Sequence, residues 1–178
     1  MRRIIGLLLV AIAVTACNKS TDVPITEDEQ FQIELAKIDA YLALNHIDAM
    51  KHETGIRVVM TKTGTGPSPT HLNCIRFTYE GLQLGDSILF DANTTTGYKT
   101  PVTSVVVGME IAFKMMSVGS KADIYIPSRL GYNTQGVIAT TEDGTQYYSV
   151  EPNTPIVFRN VELLQIYDYN ELGNYCYE

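Results

Sequence analysis

Tryptophan is absent from this 178-residue chain, and histidine and cysteine occur only three times each. No CxxC and no HxxxH spacing occurs, so the sequence argues against a zinc site. Basic residues are scarce: 13 Lys and Arg stand against 20 Asp and Glu, a net charge of −7. That balance argues against nucleic acid and against docking on anionic headgroups. Long apolar runs are also missing, except at the start. Ile4 to Val14 is nearly all apolar. It is too short to span a bilayer comfortably as a helix.

That run follows Arg2 and Arg3 and ends at Val14-Thr15-Ala16-Cys17. A positive start, a short apolar run and small residues before a cysteine resemble a bacterial lipoprotein signal, with an ordinary secretory signal and a chance cysteine as the alternative. Residues 1–16 are expected to be removed, and Cys17 to carry the lipid. Several acyl chains together hold a protein at a membrane far more firmly than one. Losing the two arginines leaves 11 basic residues against 20 acidic, a net of −9. Such a chain suits a domain held off a bacterial membrane, outside the cytoplasm, on either the inner or the outer membrane. Export permits a Cys74–Cys176 disulfide, and two free thiols fit the sequence equally well.

Residues 17–26 are polar without an apolar period and read as a tether. Residues 27–53 are helical: Phe31, Leu35, Ile38 and Leu42 form one stripe after Thr26 and a run of acids. The segment is one helix or two short ones. Packing on the following domain is the favoured arrangement, and dimerisation the alternative.

From residue 54 to 166 the period changes to two. Strands are expected at Gly55–Lys62, at Ile75–Glu80, at Asp86–Asp91 and at Pro155–Ile166. Ala92–Pro101 and Thr140–Pro152 read as polar loops, the second turning at Asp143-Gly144. Met109, Ala112, Phe113 and Met116 fall at i, i+3, i+4 and i+7 on one helical face. Gly119 suits the left-handed residue that ends a helix. Ala122, Ile124 and Ile126 then alternate with Asp123 and Tyr125, a half-buried strand stopped by Pro127. The fold class is α+β, an antiparallel sheet with one short helix between strands. Residues 167–178 form a tail without an assignable role.

Taken singly, Tyr79 and Phe158 are core aromatics and Asp91 a turn residue. Their order along the chain says more. Phe77-Thr78-Tyr79-Glu80-Gly81, Leu89-Phe90-Asp91-Ala92, Val105-Val106-Val107-Gly108-Met109, Met116-Ser117-Val118-Gly119-Ser120-Lys121 and Ile126 through Gly136 follow one another at characteristic spacings. With the Gly-x-Gly-Pro turn at Gly64–Pro67 and the closing Val161-Glu162-Leu163-Leu164, this series resembles the FKBP-type peptidyl-prolyl cis–trans isomerases.

The resemblance implies an antiparallel sheet wrapped around a short helix and a site for X-Pro bonds, with no cofactor or metal. It implies catalytic roles for Tyr79, Asp91 and Tyr132. Phe90, Tyr98, Val105, Val106, Met109 and Phe158 would bind the proline segment. Proline-containing polypeptides, and macrolides that bind the family, are the implied ligands. Three departures stand out. Met109 occupies the position of the usual floor tryptophan, Asn133 replaces a glycine, and Arg159-Asn160 stands where one residue is usual. The last predicts a β-bulge. Three functions follow: a folding isomerase for exported proteins, a binding module or holdase that keeps the pocket without turnover, or a structural envelope lipoprotein that uses the fold only as a scaffold.

Overall fold

Thr26 starts the first helix. Its hydroxyl accepts the Glu29 N–H at 3.2 Å, and the Glu29 carboxylate accepts the Thr26 N–H at 2.9 Å. This reciprocal capping box satisfies two donors that the helix start leaves free. Helix α1 (Glu27–Leu44) is then continuous, one helix rather than two, but it stops well short of residue 53: Met50–Lys51, expected to be helical, is extended and pairs with Arg57–Val58. The computed structural model describes residues 24–168 and Cys176. The expected signal peptide, Cys17, most of the expected tether and most of the tail lie outside the described residues.

The strands are β1 (Met50–Lys51), β2 (Arg57–Lys62), β3 (Cys74–Gln83), β4 (Leu89–Pro101), β5 (Lys121–Ile126), β6 (Val137–Thr140), β7 (Gln146–Val150) and β8 (Ile156–Tyr167). Six of them form one antiparallel sheet in the order β1-β2-β5-β8-β3-β4, and β6 pairs with β7 as a separate hairpin. Helix α2 (Val107–Lys114) lies between β4 and β5 in the chain.

Period-two side chains send alternate residues to opposite faces of the sheet. Ile124, Ile126, Ile156 and Phe158 join Met109, Ala112, Phe113 and Met116 in the main core. Burying each of the larger side chains contributes about 1.5–3 kcal/mol. Gly108 lets α2 approach this face: a Cβ there would stand 2.5 Å from Ile126 Cγ2. The opposite face holds a second core, in which Ile38 and Leu42 of α1 cover Leu82, Tyr125 and Val157. Helix α1 therefore packs on the domain. Tyr125, which the alternation puts toward water, is 3% exposed because α1 covers it.

Three other expectations change. Ala92–Pro101 belongs to β4, where Thr94–Gly97 bulge out between the pairs Phe77–Tyr98 and Tyr79–Asn93. Thr140–Pro152 contains most of the β6–β7 hairpin, which does turn at Asp143-Gly144. Helix α2 ends at Met115, whose N–H bonds to Ala112 O, so Gly119 (φ +88°) serves the turn into β5 rather than the helix cap. The bulge in β8 is present: Ala122 pairs with Val161 and Ile124 with Phe158, one residue more on β8, and Asn160 has φ +53°.

Cys74, at the start of β3, is disulfide-bonded to Cys176, with Cα atoms 5.8 Å apart. The bond ties the end of the chain to the sheet. Among the described residues no helix is long and apolar enough to cross a membrane. No group of three His, Cys, Asp or Glu there could hold a metal ion.

Candidate active site

A cavity of about 210 Å³ opens between α2 and the β3–β4–β8 side of the sheet. Strand β3 sends Phe77 and Tyr79 to the same face, since they are two residues apart. Strand β8 adds Phe158, whose ring meets that of Tyr79 edge-on at 5.7 Å. Met109, in the first turn of α2, completes the floor at 2% exposed.

The rim comes from irregular chain. After the β4 bulge, Tyr98 returns opposite Phe77, with the ring centroids 5.9 Å apart, and is 45% exposed. Ser104, Val105 and Val106 line the cavity on the approach to α2. Tyr132 arrives from the loop after β5. Pro127 ends that strand, Ser128–Leu130 form a 3-10 turn, and Asn133 takes φ +50°. Asparagine tolerates this left-handed conformation in place of glycine.

Phe90 stands behind the lining, edge-on to Tyr132 at 5.8 Å and to Phe158 at 5.9 Å. Gly81 makes room for it. A Cβ at Gly81 would lie 2.7 Å from the Phe90 ring and 3.1 Å from the Phe158 ring.

One hydrogen bond organises the polar side. Tyr79 donates its hydroxyl to Asp91 Oδ2 at 2.6 Å. Burial first, and then this carboxylate, push the Tyr79 phenol above its ordinary range. Burial, with the Asp91 charge second, also pushes Tyr132 upward. Both phenols therefore remain neutral donors near neutral pH. The cavity combines an apolar floor, an aromatic wall and hydroxyls at one edge, a shape suited to a small apolar ring attached to a carbonyl.

Of the nine pocket residues taken from the sequence, Tyr79, Asp91, Tyr98, Val105, Val106, Met109, Tyr132 and Phe158 line the cavity, and Phe90 supports it. Phe77 and Ser104 also line it, beyond the residues the sequence points to. Phe77 was within reach, because it shares a strand face with Tyr79. Nothing in the sequence marks Ser104.

The sequence model of the FKBP-type peptidyl-prolyl cis-trans isomerase family matches residues 66–164, more than half of the chain. The chain belongs to this family. It is 33% identical over 116 residues to the FKBP-type 22 kDa peptidyl-prolyl cis-trans isomerase of Escherichia coli (strain K12), covering 64% of this chain and 51% of that protein. It is 31% identical over 115 residues to the probable FKBP-type isomerase FkpA of Neisseria meningitidis serogroup B, covering 64% and 38%. The chain thus matches about half or less of these relatives' length.

Among solved structures it resembles a peptidyl-prolyl cis-trans isomerase from Pseudomonas syringae pv. tomato. The TM-score is 0.60 at 26% identity, covering 76% of this chain and 94% of that one. Escherichia coli FkpA shares the fold, with a TM-score of 0.63 at 23% identity over 79% and 62% of the two chains. The FKBP-like fold places the aromatic cavity between its short helix and its sheet.

Proposed function

We propose that this FKBP-type chain isomerises X-Pro bonds in exported polypeptides, from a lipid anchor at Cys17 in a bacterial envelope. The observation that carries the reading is the aromatic cavity edged by the Tyr79–Asp91 pair and Tyr132. Rotation about the X-Pro bond meets a barrier of about 18–20 kcal/mol, because the amide is resonance-delocalised. The twisted amide is less polar and loses that delocalisation. An apolar cradle disfavours the planar, charge-separated form relative to the twisted one.

In this reading the proline ring rests on Met109 between Tyr79 and Phe158, with Phe90 behind them. Tyr132 donates to a substrate carbonyl, and the backbone N–H of Val106 to another. Such fixed donors act without reorganising during the rotation. Asp91 holds the Tyr79 hydroxyl and shapes the field at the rim. No covalent intermediate is needed.

A protease-coupled assay on a proline tetrapeptide tests this reading. Wild-type chain should accelerate isomerisation, and Tyr132→Phe and Asp91→Ala should each slow it. Rates equal to buffer would remove the isomerase reading. Met109 in place of the family's floor tryptophan favours a second reading, a holdase or binding module without turnover. Binding of a proline peptide or macrolide without acceleration would select it. For the anchor, Cys17→Ser should move the chain from the membrane to the soluble fraction. A variant still in the membrane fraction would refute lipidation at Cys17.

A further inference from the structure

Helix α1 lies outside the family match at residues 66–164, yet it holds the loop that presents Tyr132. Its buried face carries a carboxylate. Glu34 is 0% exposed, among the least accessible side chains in the protein. Oε2 accepts the Ser128 N–H at 2.5 Å, and Oε1 accepts the Ser128 hydroxyl at 2.7 Å. The Gln30 side-chain amide also donates to Oε1 at 2.7 Å. Taking a carboxylate out of water is costly unless its acceptors are filled, and here three donors fill them.

Docking a helix does not require that cost. Ile38 and Leu42, on the same face, pack by apolar contact alone. What Glu34 adds is direction, because hydrogen bonds fix angle as well as distance. The fixed group is Ser128, and Ser128 governs Tyr132. The N–H groups of Gly131 and Asn133 both donate to Ser128 O at 2.8 Å. These two residues flank Tyr132, so the placement of Ser128 sets the backbone on both sides of the ring.

Helix α1 grips the same loop at two more points, both on Arg129, and reaches it once more through Asn153. Arg129 donates to Asp28 at 3.0 Å and lies over the Phe31 ring at 4.0 Å. Gln30 donates to the Asn153 carbonyl at 3.2 Å, and the Asn153 N–H bonds to Asn133 O at 2.8 Å.

We infer that α1 is a positioning element of the isomerase site, with Glu34 acting through Ser128 to fix the Tyr132 hydroxyl over the cavity. This rests on the isomerase function proposed above. Glu34 touches no substrate. Its effect on turnover passes through Tyr132, which separates it from a residue that merely holds a helix in place.

The test uses the full chain in detergent and the protease-coupled assay. Variants are Glu34→Leu, Glu34→Gln, Ser128→Ala, Tyr132→Phe and the Glu34→Leu/Tyr132→Phe double variant. Misplacing a donor by a fraction of an ångström should lower kcat/KM about tenfold in Glu34→Leu. Glu34→Gln keeps one acceptor for the Ser128 N–H and should recover much of that loss. Tyr132→Phe should cost far less in the Glu34→Leu background than in wild type, because coupled residues are non-additive. Amide exchange should quicken at residues 129–133 and stay unchanged in β8.

Additive losses, or wild-type activity in Glu34→Leu, would overturn the inference and leave the isomerase reading standing. A wild-type chain no faster than buffer would sink both. If Glu34→Leu does not fold, Ser128→Ala decides. It must lower activity on its own, and Tyr132→Phe must then cost far less in that background than in wild type. Additivity of Ser128→Ala and Tyr132→Phe overturns the inference.

Discussion

Tyr79 and Tyr132 meet the cavity as protonated phenols, and their environments keep them so. Both are pushed upward chiefly by burial, and Tyr79 also by its 2.6 Å bond to Asp91. A phenol whose folded-state pKa is raised contributes its stability below the ordinary value of 10.0, and loses it only as pH rises through the folded value. Isomerase activity should therefore show no loss from phenol ionisation between about pH 6 and pH 9. Tyrosinate absorbance checks the cause. Tyr79→Phe should leave the amplitude of the transition near pH 10 unchanged, because Tyr79 ionises above it. A reduced amplitude would place Tyr79 in the ordinary class. At this scale much of the cavity was legible, since Tyr79, Phe90-Asp91, Val105-Val106-Met109 and Tyr132 sit in ordered motifs. Ser104 was not, because a serine on an irregular approach to a helix carries no pattern. Glu34 was hidden for another reason. A glutamate among apolar stripe residues reads as solvated, and only the fold brings Ser128 to it.

At the scale of elements, α1 is fixed by an ion pair as well as by its apolar face. Arg57 of β2 is 6% exposed and grips Asp39 with Nε–Oδ1 at 2.8 Å and Nη2–Oδ2 at 3.2 Å. Lys51 adds a third contact at 2.8 Å. The Arg57 hydrogen bond is the main cause that lowers Asp39 from 3.8 to about 2. A depressed carboxylate contributes stability above its unfolded value and loses it as pH falls through the folded one. The wild type should thus lose stability between pH 3.8 and about 2. Asp39→Asn should be less stable at neutral pH by about 1–3 kcal/mol and lack that share of the acid loss. Denaturant melts at a series of pH values would read both effects, and parallel pH curves for the two proteins would contradict them. The short helix and strands β2, β3, β5 and β8 were readable from period and turn residues, and the β8 bulge from the residue that Arg159-Asn160 adds to the pattern the chain resembles. Strand β4 was not. It is an edge strand with most side chains in water and a four-residue bulge, so it lacks apolar alternation. Tyr125 misled for a different reason, since alternation cannot say that a helix distant in sequence covers the second face.

Across the whole molecule, two cores on opposite faces of one sheet give α1 and α2 different tasks. Helix α2 builds the floor of the cavity, and α1 braces its rim from behind the sheet. The Cys74–Cys176 bond closes a separation of 102 residues and fastens the end of the chain to β3, the strand that carries Tyr79. Sequence left that pairing open, because it names Cys74 and Cys176 but not the distance between them. The most direct measurement of the central claim is the rate of cis–trans isomerisation of a proline tetrapeptide by the full chain. The account predicts acceleration over buffer that falls in Tyr132→Phe and in Asp91→Ala. A wild-type rate indistinguishable from buffer would contradict it.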